Sequence, residues 1–159
     1  MKLLELVHPK AIVADLESTD RNGVIRELVQ SLADTEQLAP DQVEKVVKSI
    51  ITRERTRGTT GFGKGVAVPH AKIEGLEKVM AAVGRSSRGI DFSSLDGEPV
   101  YGVFLIASPA EQPEEHLRAM DLVFRHLQQE RFRKFLRQAD APEKILELLK
   151  EADEKMLVA

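Results

Sequence analysis

The chain has no cysteine and no tryptophan among its 159 residues, and aromatic residues make up only 4% of it. Without cysteine, neither a disulfide nor a thiolate-bound metal can form. Apolar runs stay well short of the roughly 20 residues that a membrane-spanning helix needs. Glu5 and His8 interrupt the first apolar segment, where a signal peptide would carry its hydrophobic stretch. We therefore expect a cytoplasmic protein with no membrane insertion and no cleaved leader.

An excess of positive charge is also missing. The chain has 23 Lys and Arg against 26 Asp and Glu, a formal net charge of -3. It lacks the broad basic field that drives nucleic-acid binding, so we expect no nucleic-acid partner. Hydrophobic residues at 42% and charged residues at 31% are ordinary for a globular protein. The length fits a single domain over residues 1–159, with its core at about 5–152.

The hydrophobic pattern predicts an α/β fold. Short apolar runs predict strands at residues 11–16, 66–68, 79–83 and 100–107. Apolar residues at helical spacing predict helices at 24–34, 40–54, from 113, around 132–136 and from 140. The helix from 113 has a predicted buried stripe of Leu117, Met120, Val123, Phe124 and Leu127. Residues 52–65 are rich in Arg, Thr and Gly, and we expect them to be irregular. This order predicts a single domain with a mixed β-sheet sandwiched between helices.

The segment GFGKGVAVPH, residues 61–70, has the residue types of an anion site beside a nucleophile. Glycines allow close backbone approach, and their N–H groups can hold an anion. Pro69 restricts Val68 and stiffens the backbone before His70. A neutral imidazole in a fixed position is a nucleophile, which suits a phosphoryl-accepting histidine. A histidine that merely caps a strand remains the alternative on these grounds alone.

A resemblance to a known family adds to this interpretation. Residues 60–70, TGFGKGVAVPH, together with Arg53-Glu54, resemble the signature of the type-2 IIA (EIIA) proteins of the bacterial phosphotransferase system (PTS). These are the fructose/mannitol and nitrogen-regulatory IIA proteins. The strand at 103–109 and His116 extend the resemblance over nearly the whole chain. It implies the fold of mannitol-specific IIA and phosphotransferase activity through a phosphohistidine.

The resemblance also implies a role for three residues. His70 corresponds to the phosphorylated histidine, His116 to the histidine that hydrogen-bonds the phosphoryl group, and Arg53 to the arginine that neutralises it. An arginine fork and an imidazole N–H give charge-assisted hydrogen bonds, and phosphoryl transfer depends mainly on positioning and charge neutralisation. Arg55 and Arg57 are close enough in sequence to take the role of Arg53. No cofactor and no metal are implied.

The implied partners are a histidine phosphocarrier protein like HPr as donor, and a IIB domain or a regulatory target as recipient. Alternatively, the chain is a nitrogen-regulatory module whose partner choice is switched by phosphorylation, with little role in sugar transport. A metal-dependent hydrolase using His70 and His116 would need a third ligand that no motif supplies. Phe62, Val68 and Ile73 are candidates for apolar docking contacts near His70. All three could equally be core residues, and for Val68 we favour the core.

Four further positions complete the sequence-based prediction. Lys64 can attract phosphate but occupies a variable position of the signature. We expect His126 to be structural, and His8 has no polar constellation around it. Ala71 stands where the family usually has glycine, so it can affect backbone geometry or partner docking.

Overall fold

A computed structural model describes residues 1–158, except for the side chains after Lys155. The strands are β1 Val7–Val13, β2 Gly61–Gly63, β3 Val66–Ala67, β4 His70–Ile73, β5 Met80–Ile90 and β6 Val100–Pro109. The helices are α1 Leu3–Leu6, α2 Arg21–Asp34, α3 Val43–Arg57, α4 Pro113–Leu127, α5 Glu130–Gln138 and α6 Pro142–Val158, and a 3-10 turn at Pro40–Gln42 precedes α3.

The strands form one mixed sheet in the order β1-β5-β6-β3-β2, and β4 follows β3 along the same edge of β6. β1 runs parallel to β5, which runs antiparallel to β6. Both β3 and β4 run parallel to β6. The predicted mixed α/β sheet is therefore confirmed.

Helices cover both faces of the sheet, which explains why β6 is apolar along nearly its whole length. Successive side chains of a strand point to opposite faces. Leu105 belongs to the core shared with α2 and α3, whereas Phe104 and Ile106 belong to the core shared with α1, α4, α5 and α6. A strand buried on both faces reads as a continuous hydrophobic run, as predicted for this one.

Four strands differ from the prediction. β2 was not predicted, and β5 continues to Ile90, beyond the predicted end at 83. The other two differ because of their polar residues. β1 begins at Val7, and its polar His8-Pro9-Lys10 stretch hid its first half. Proline is tolerated there because β1 is an edge strand. The four-residue β4, which starts at His70 itself, was missed entirely because it is short and half polar.

Helix α3 continues three residues past its predicted end at 54, and β2 follows at 61–63, so the expectation that residues 52–65 are irregular is wrong for both segments. Arg53 and Glu54 lie inside the helix, which continues to Arg57. It ends at Gly58, whose φ of 99° is in the left-handed region that favours glycine. The arginines and threonines before that glycine are compatible with a helix.

Helix α4 presents a different face to the core than predicted. Its buried residues are His116, Ala119, Leu122, Val123, His126 and Leu127. Leu117 was expected in the buried stripe, but its side chain is 66% exposed. The predicted stripe was chosen from apolar residues only. The face that contacts the core also contains His116 and His126, so the predicted stripe is rotated away from it.

Candidate functional site

His70 opens β4, directly after a proline interruption of the sheet edge. The carbonyl of Pro69 accepts a hydrogen bond from the N–H of Ile106, so the backbone stays anchored to β6 through the interruption. His70 Nδ1 lies 2.7 Å from the carbonyl oxygen of Val68. A carbonyl can only accept, so Nδ1 carries the hydrogen and Nε2 keeps its lone pair. The imidazole is therefore held in the tautomer that leaves Nε2 nucleophilic.

His116 lies in the first turn of α4 and faces His70, with 5.5 Å between the ring centroids. Its side chain is buried, and its Nδ1 lies 2.7 Å from Ser108 Oγ. Ser108 reaches it because alternate residues of β6 point to one face of the sheet, here the face that α4 covers. The end of β6 and the start of α4 thus fix the second imidazole beside the first.

Both imidazoles are neutral at pH 7. Burial, together with the smaller effects of the nearby His70 and Lys72, lowers the pKa of His116 to about 4. Burial also lowers the pKa of His70; the Val68 carbonyl opposes this shift, and the charge of Arg53 adds to it. A neutral His70 has the free lone pair that nucleophilic attack requires.

The three candidate arginines of α3 divide between two grooves. Arg53 and Arg57 line a groove together with Ala71 and Lys72, next to His70. The charges of these two arginines lower the pKa of His70. Arg55 instead lines a separate groove on the other side of α3. Arg53 Nη1 donates to the carbonyl of Gly58 at 2.8 Å, which holds its side chain against the end of its own helix.

A buried carboxylate joins α3 to the glycine-rich loop. Glu54, 2% exposed, accepts hydrogen bonds from both the N–H and the hydroxyl of Thr60, each at 2.7 Å. Sequence reasoning noted Glu54 only as part of the Arg-Glu pair. The sequence could have indicated this contact only through the position of Glu54, next to Arg53 and six residues before Thr60.

The loop that follows is less open to anions than expected. Gly63, Lys64 and Gly65 have φ angles of 108°, 60° and 81°, a run of left-handed conformations that explains the two glycines. The N–H of Lys64 is bonded to the carboxylate of Asp96 at 2.8 Å. The N–H of Gly61 is bonded to Thr59 Oγ1 at 2.9 Å. These two N–H groups are thus taken by acceptors of the protein itself.

Comparison with known proteins identifies the family of this chain. A family model described as "Phosphoenolpyruvate-dependent sugar phosphotransferase system, EIIA 2" matches residues 5–152. The chain belongs to this family. The PTS fructose-specific EIIABC component of Bacillus subtilis is 35% identical over 153 residues, which are 96% of this chain but 24% of that protein. The nitrogen regulatory protein of Bradyrhizobium diazoefficiens is 35% identical over 137 residues, 86% of this chain and 87% of that protein.

Solved structures of the EIIA family have the same fold. The nitrogen regulatory protein IIA-Ntr from Neisseria meningitidis has a TM-score of 0.81 at 26% identity, covering 91% of this chain and 97% of that one. Mannitol IIA of Escherichia coli, solved in complex with phosphorylated IIB, has a TM-score of 0.73 at 20% identity, covering 89% and 95%. The expected mannitol-IIA-like fold is confirmed.

Only one of the three predicted docking residues is available on the surface of this EIIA chain. Val68 and Ile73 are buried, so for these two residues the core alternative is the correct one. Each side chain belongs to one of the two cores that flank the sheet. Phe62 is 41% exposed and packs edge-to-face on Phe124 with 4.8 Å between ring centroids. Leu117, next to His116, is a further exposed apolar residue, although the helical pattern placed it in a buried stripe.

The other side of His70 is strongly basic. The groove that contains Arg53 and Arg57 is lined by five cationic side chains and no carboxylate, namely Lys45, Lys48, Arg53, Arg57 and Lys72. The surface beside the two histidines therefore combines the exposed Leu117 with a basic part along α3 and β4.

The remaining predicted positions lie outside the pair of histidines. Lys64 lines grooves with Arg133 rather than the groove beside His70. His126 is buried with its ring 5.4 Å from that of Phe132, and His8 Nδ1 accepts from the N–H of Lys10. Ala71 packs into the core shared with α2 and α3, so its methyl group points away from the face of His116.

Among the described residues, no three His, Cys, Asp or Glu side chains are grouped as a metal site would need. No described helix is long and apolar enough to cross a membrane.

Proposed function

We propose that this chain is a cytoplasmic histidine phosphocarrier that accepts a phosphoryl group on Nε2 of His70 and passes it to a partner protein. The observation that carries the proposal is the 2.7 Å contact between His70 Nδ1 and the Val68 carbonyl. It leaves the Nε2 lone pair free on a neutral ring, beside a second histidine and two arginines. This arrangement supplies a nucleophile and its electrostatic surroundings together.

The transfer step follows from these positions. The Nε2 lone pair of His70 attacks the phosphorus of a phosphohistidine on an HPr-like donor. The donor's P–N bond breaks, and its electron pair returns to the donor imidazole. His116 donates a hydrogen bond to the transferred group, and Arg53 neutralises its charge, with Arg57 as the second arginine within range. Positioning and charge neutralisation are what a loose phosphoryl-transfer transition state requires. Passing the group onward reverses these steps.

The recipient is a IIB domain in the transport version of this proposal. The mannitol IIA of Escherichia coli forms a complex with phosphorylated IIB. In this chain, the exposed Leu117 next to His116 provides apolar contact area for the recipient, and the basic groove beside His70 suits the phosphorylated donor. Transfer complexes must separate quickly, so we expect a small interface of modest affinity.

Incubating the chain with phosphoenolpyruvate, Enzyme I and HPr tests the proposal. We expect one acid-labile phosphate per chain, visible by intact mass spectrometry and mapped to His70. His70→Ala should take up none, whereas the control His8→Ala should be labelled like the wild type. Equal labelling of His70→Ala would show that the phosphate goes elsewhere.

A regulatory role is the second candidate. It is supported by the nitrogen regulatory protein of Bradyrhizobium diazoefficiens, which at 35% identity is as similar to this chain as the fructose EIIABC component is. Phosphorylation would add nearly two negative charges between His116 and Arg53 and so change which protein surface fits there.

Affinity capture with phosphorylated wild type and with His70→Ala tests this switch. We expect the two forms to retain different partners at equal protein concentration. Identical partner sets would rule out regulation by phosphorylation while leaving the transfer activity itself untouched.

A further inference from the structure

Ser108 is a fully buried polar residue next to the pair of histidines. It lies one residue before the end of β6 and is 0% exposed. Its hydroxyl has one hydrogen-bonding contact among the described residues, His116 Nδ1 at 2.7 Å. The buried Ser108 hydroxyl therefore hydrogen-bonds one ring nitrogen, Nδ1 of His116.

The direction of this hydrogen bond follows from the surroundings. A neutral imidazole has one N–H and one acceptor nitrogen. If Nδ1 donated to Ser108, the hydroxyl hydrogen would be left without an acceptor in a buried place, which costs free energy. If the hydroxyl donates to Nδ1, both groups are satisfied. The second arrangement puts the ring hydrogen of His116 on Nε2.

We propose that Ser108 is a positioning residue that donates its hydroxyl hydrogen to Nδ1 of His116 and so holds His116 in its Nε2–H tautomer. Its part in phosphoryl transfer rests on the function proposed above. In that role, Ser108 ensures that His116 presents a donor, rather than a lone pair, to a phosphoryl group on His70.

The two histidines would then have opposite tautomers, because Nδ1 of His70 faces a hydrogen-bond acceptor and Nδ1 of His116 faces a donor. The Val68 carbonyl can only accept, so it places the hydrogen of His70 on Nδ1 and leaves Nε2 as the nucleophile. The Ser108 hydroxyl places the hydrogen of His116 on Nε2. One ring supplies the attacking lone pair, and the other supplies a hydrogen-bond donor for the group that arrives.

Nitrogen-15 NMR of the ring nitrogens in the wild-type chain at pH 7.5 tests the tautomer directly. We expect His116 to show a protonated Nε2 and a hydrogen-bonded, unprotonated Nδ1, and His70 to show the reverse. A protonated Nδ1 on His116 would overturn the proposal. This measurement needs no phosphorylation, so it is decided independently of the proposed function.

Substitution of Ser108 tests its effect on transfer. Ser108→Ala removes a donor to the neutral ring, so the pKa of His116 should rise above about 4, while burial, the largest cause of its lowering, remains. The rate of phosphorylation at His70 should fall on the order of tenfold, the size expected when one hydrogen bond of a positioned group is lost. Ser108→Cys, which keeps a weak donor of similar size, should fall between the two.

Ser86→Ala is the matched control. Ser86 is also a buried serine in a central strand, but its hydroxyl accepts from the N–H of Gly89 and touches no histidine. It should change neither the His116 titration nor the phosphorylation rate. A Ser108→Ala chain that folds and keeps the wild-type pKa of His116 and the wild-type rate would contradict the proposal.

Discussion

At the scale of the residue, the site is built from two identical side chains made different by their neighbours. His70 has a backbone carbonyl against Nδ1, and His116 has a serine hydroxyl against Nδ1. Burial keeps both rings neutral at pH 7, because removing an imidazolium from water is unfavourable. The same imidazole can therefore serve as nucleophile in one position and as hydrogen-bond donor in the other.

The lowered pKa values predict a pH-dependent stability. The unfolded chain takes up a proton on each histidine near pH 6.5, whereas folded His116 does so only near 4. The unfolded state therefore binds more protons between these values, and the free energy of unfolding falls as the pH drops from 6.5 towards 4. For His116 alone, we expect a loss on the order of 2 kcal/mol after allowing for partial solvent screening.

Urea unfolding at pH 7.5, 6 and 4.5 measures this loss. His116→Gln removes the titrating group while keeping a polar side chain of similar size, so its stability should fall less over the same range. The two proteins are compared by the slope of the free energy of unfolding against pH. The difference between the slopes gives the contribution of His116 apart from that of the other histidines. Equal slopes would mean that the pKa of His116 is not lowered in the folded chain.

At the scale of the element, the end of α3 and the loop after it place the charged residues. The helix carries Arg53 and Glu54 to its last turn and ends at Gly58. Glu54 then fastens Thr60, the first residue of the signature, and the Gly58 carbonyl holds the side chain of Arg53. Within the Arg-Glu pair, the charge of Arg53 lowers the pKa of His70, and Glu54 holds the loop through Thr60.

Glu54→Gln should loosen this connection. The carboxylate accepts two hydrogen bonds from Thr60, and an amide presents one oxygen and one NH2 group to the same two donors. Loss of a buried, charged hydrogen bond should lower the free energy of unfolding by about 2 kcal/mol, measured in urea. The rate of phosphorylation should also fall, because the loop next to Arg53 is no longer fixed.

Glu44→Gln on the same helix is the control for the charge. Glu44 pairs with Arg26 on the exposed face of α3, where ion pairs contribute little. Its effect on stability should be much smaller than that of Glu54→Gln. Similar losses in the two variants would show that Glu54 acts through helix charge rather than through Thr60.

At the scale of the whole molecule, the two ends of the described chain are tied together. Asp153 of α6 is buried, and its carboxylate accepts from the N–H groups of Leu3 and Leu4 at 2.7 and 3.1 Å. These are the first two N–H groups of α1, which lack partners within that helix. An acidic residue 150 positions away thus caps the helix that leads into β1.

Asp153→Ala should therefore destabilise the fold globally rather than locally. It leaves two N–H groups without an acceptor and should cost about 2 kcal/mol, measured by thermal or urea unfolding. Asp153→Asn, which keeps one acceptor oxygen, should cost less. Glu151→Ala, an exposed position of the same helix, is the comparison; a loss as large as that of Asp153→Ala would argue against the capping role.

Much of this molecule could be predicted from local patterns. The continuous apolar run of β6 predicted a strand covered on both faces, and the signature around His70 predicted the family to which the chain belongs. The strand follows from the local hydrophobic pattern, and the family follows from the resemblance of a short contiguous signature. The roles of His70, His116 and Arg53 remain predictions, but all three stand close to one another in the fold.

What the sequence determined by itself was the kind of fold, the family and the segment that carries His70. Only the tertiary structure decided which neighbours each side chain meets. It buried Val68 and Ile73, exposed Leu117, turned Arg55 away from His70 and brought Ser108 against His116. The physical reason is that these contacts join separate elements, and their geometry depends on how helices pack on the sheet rather than on the pattern within any one of them.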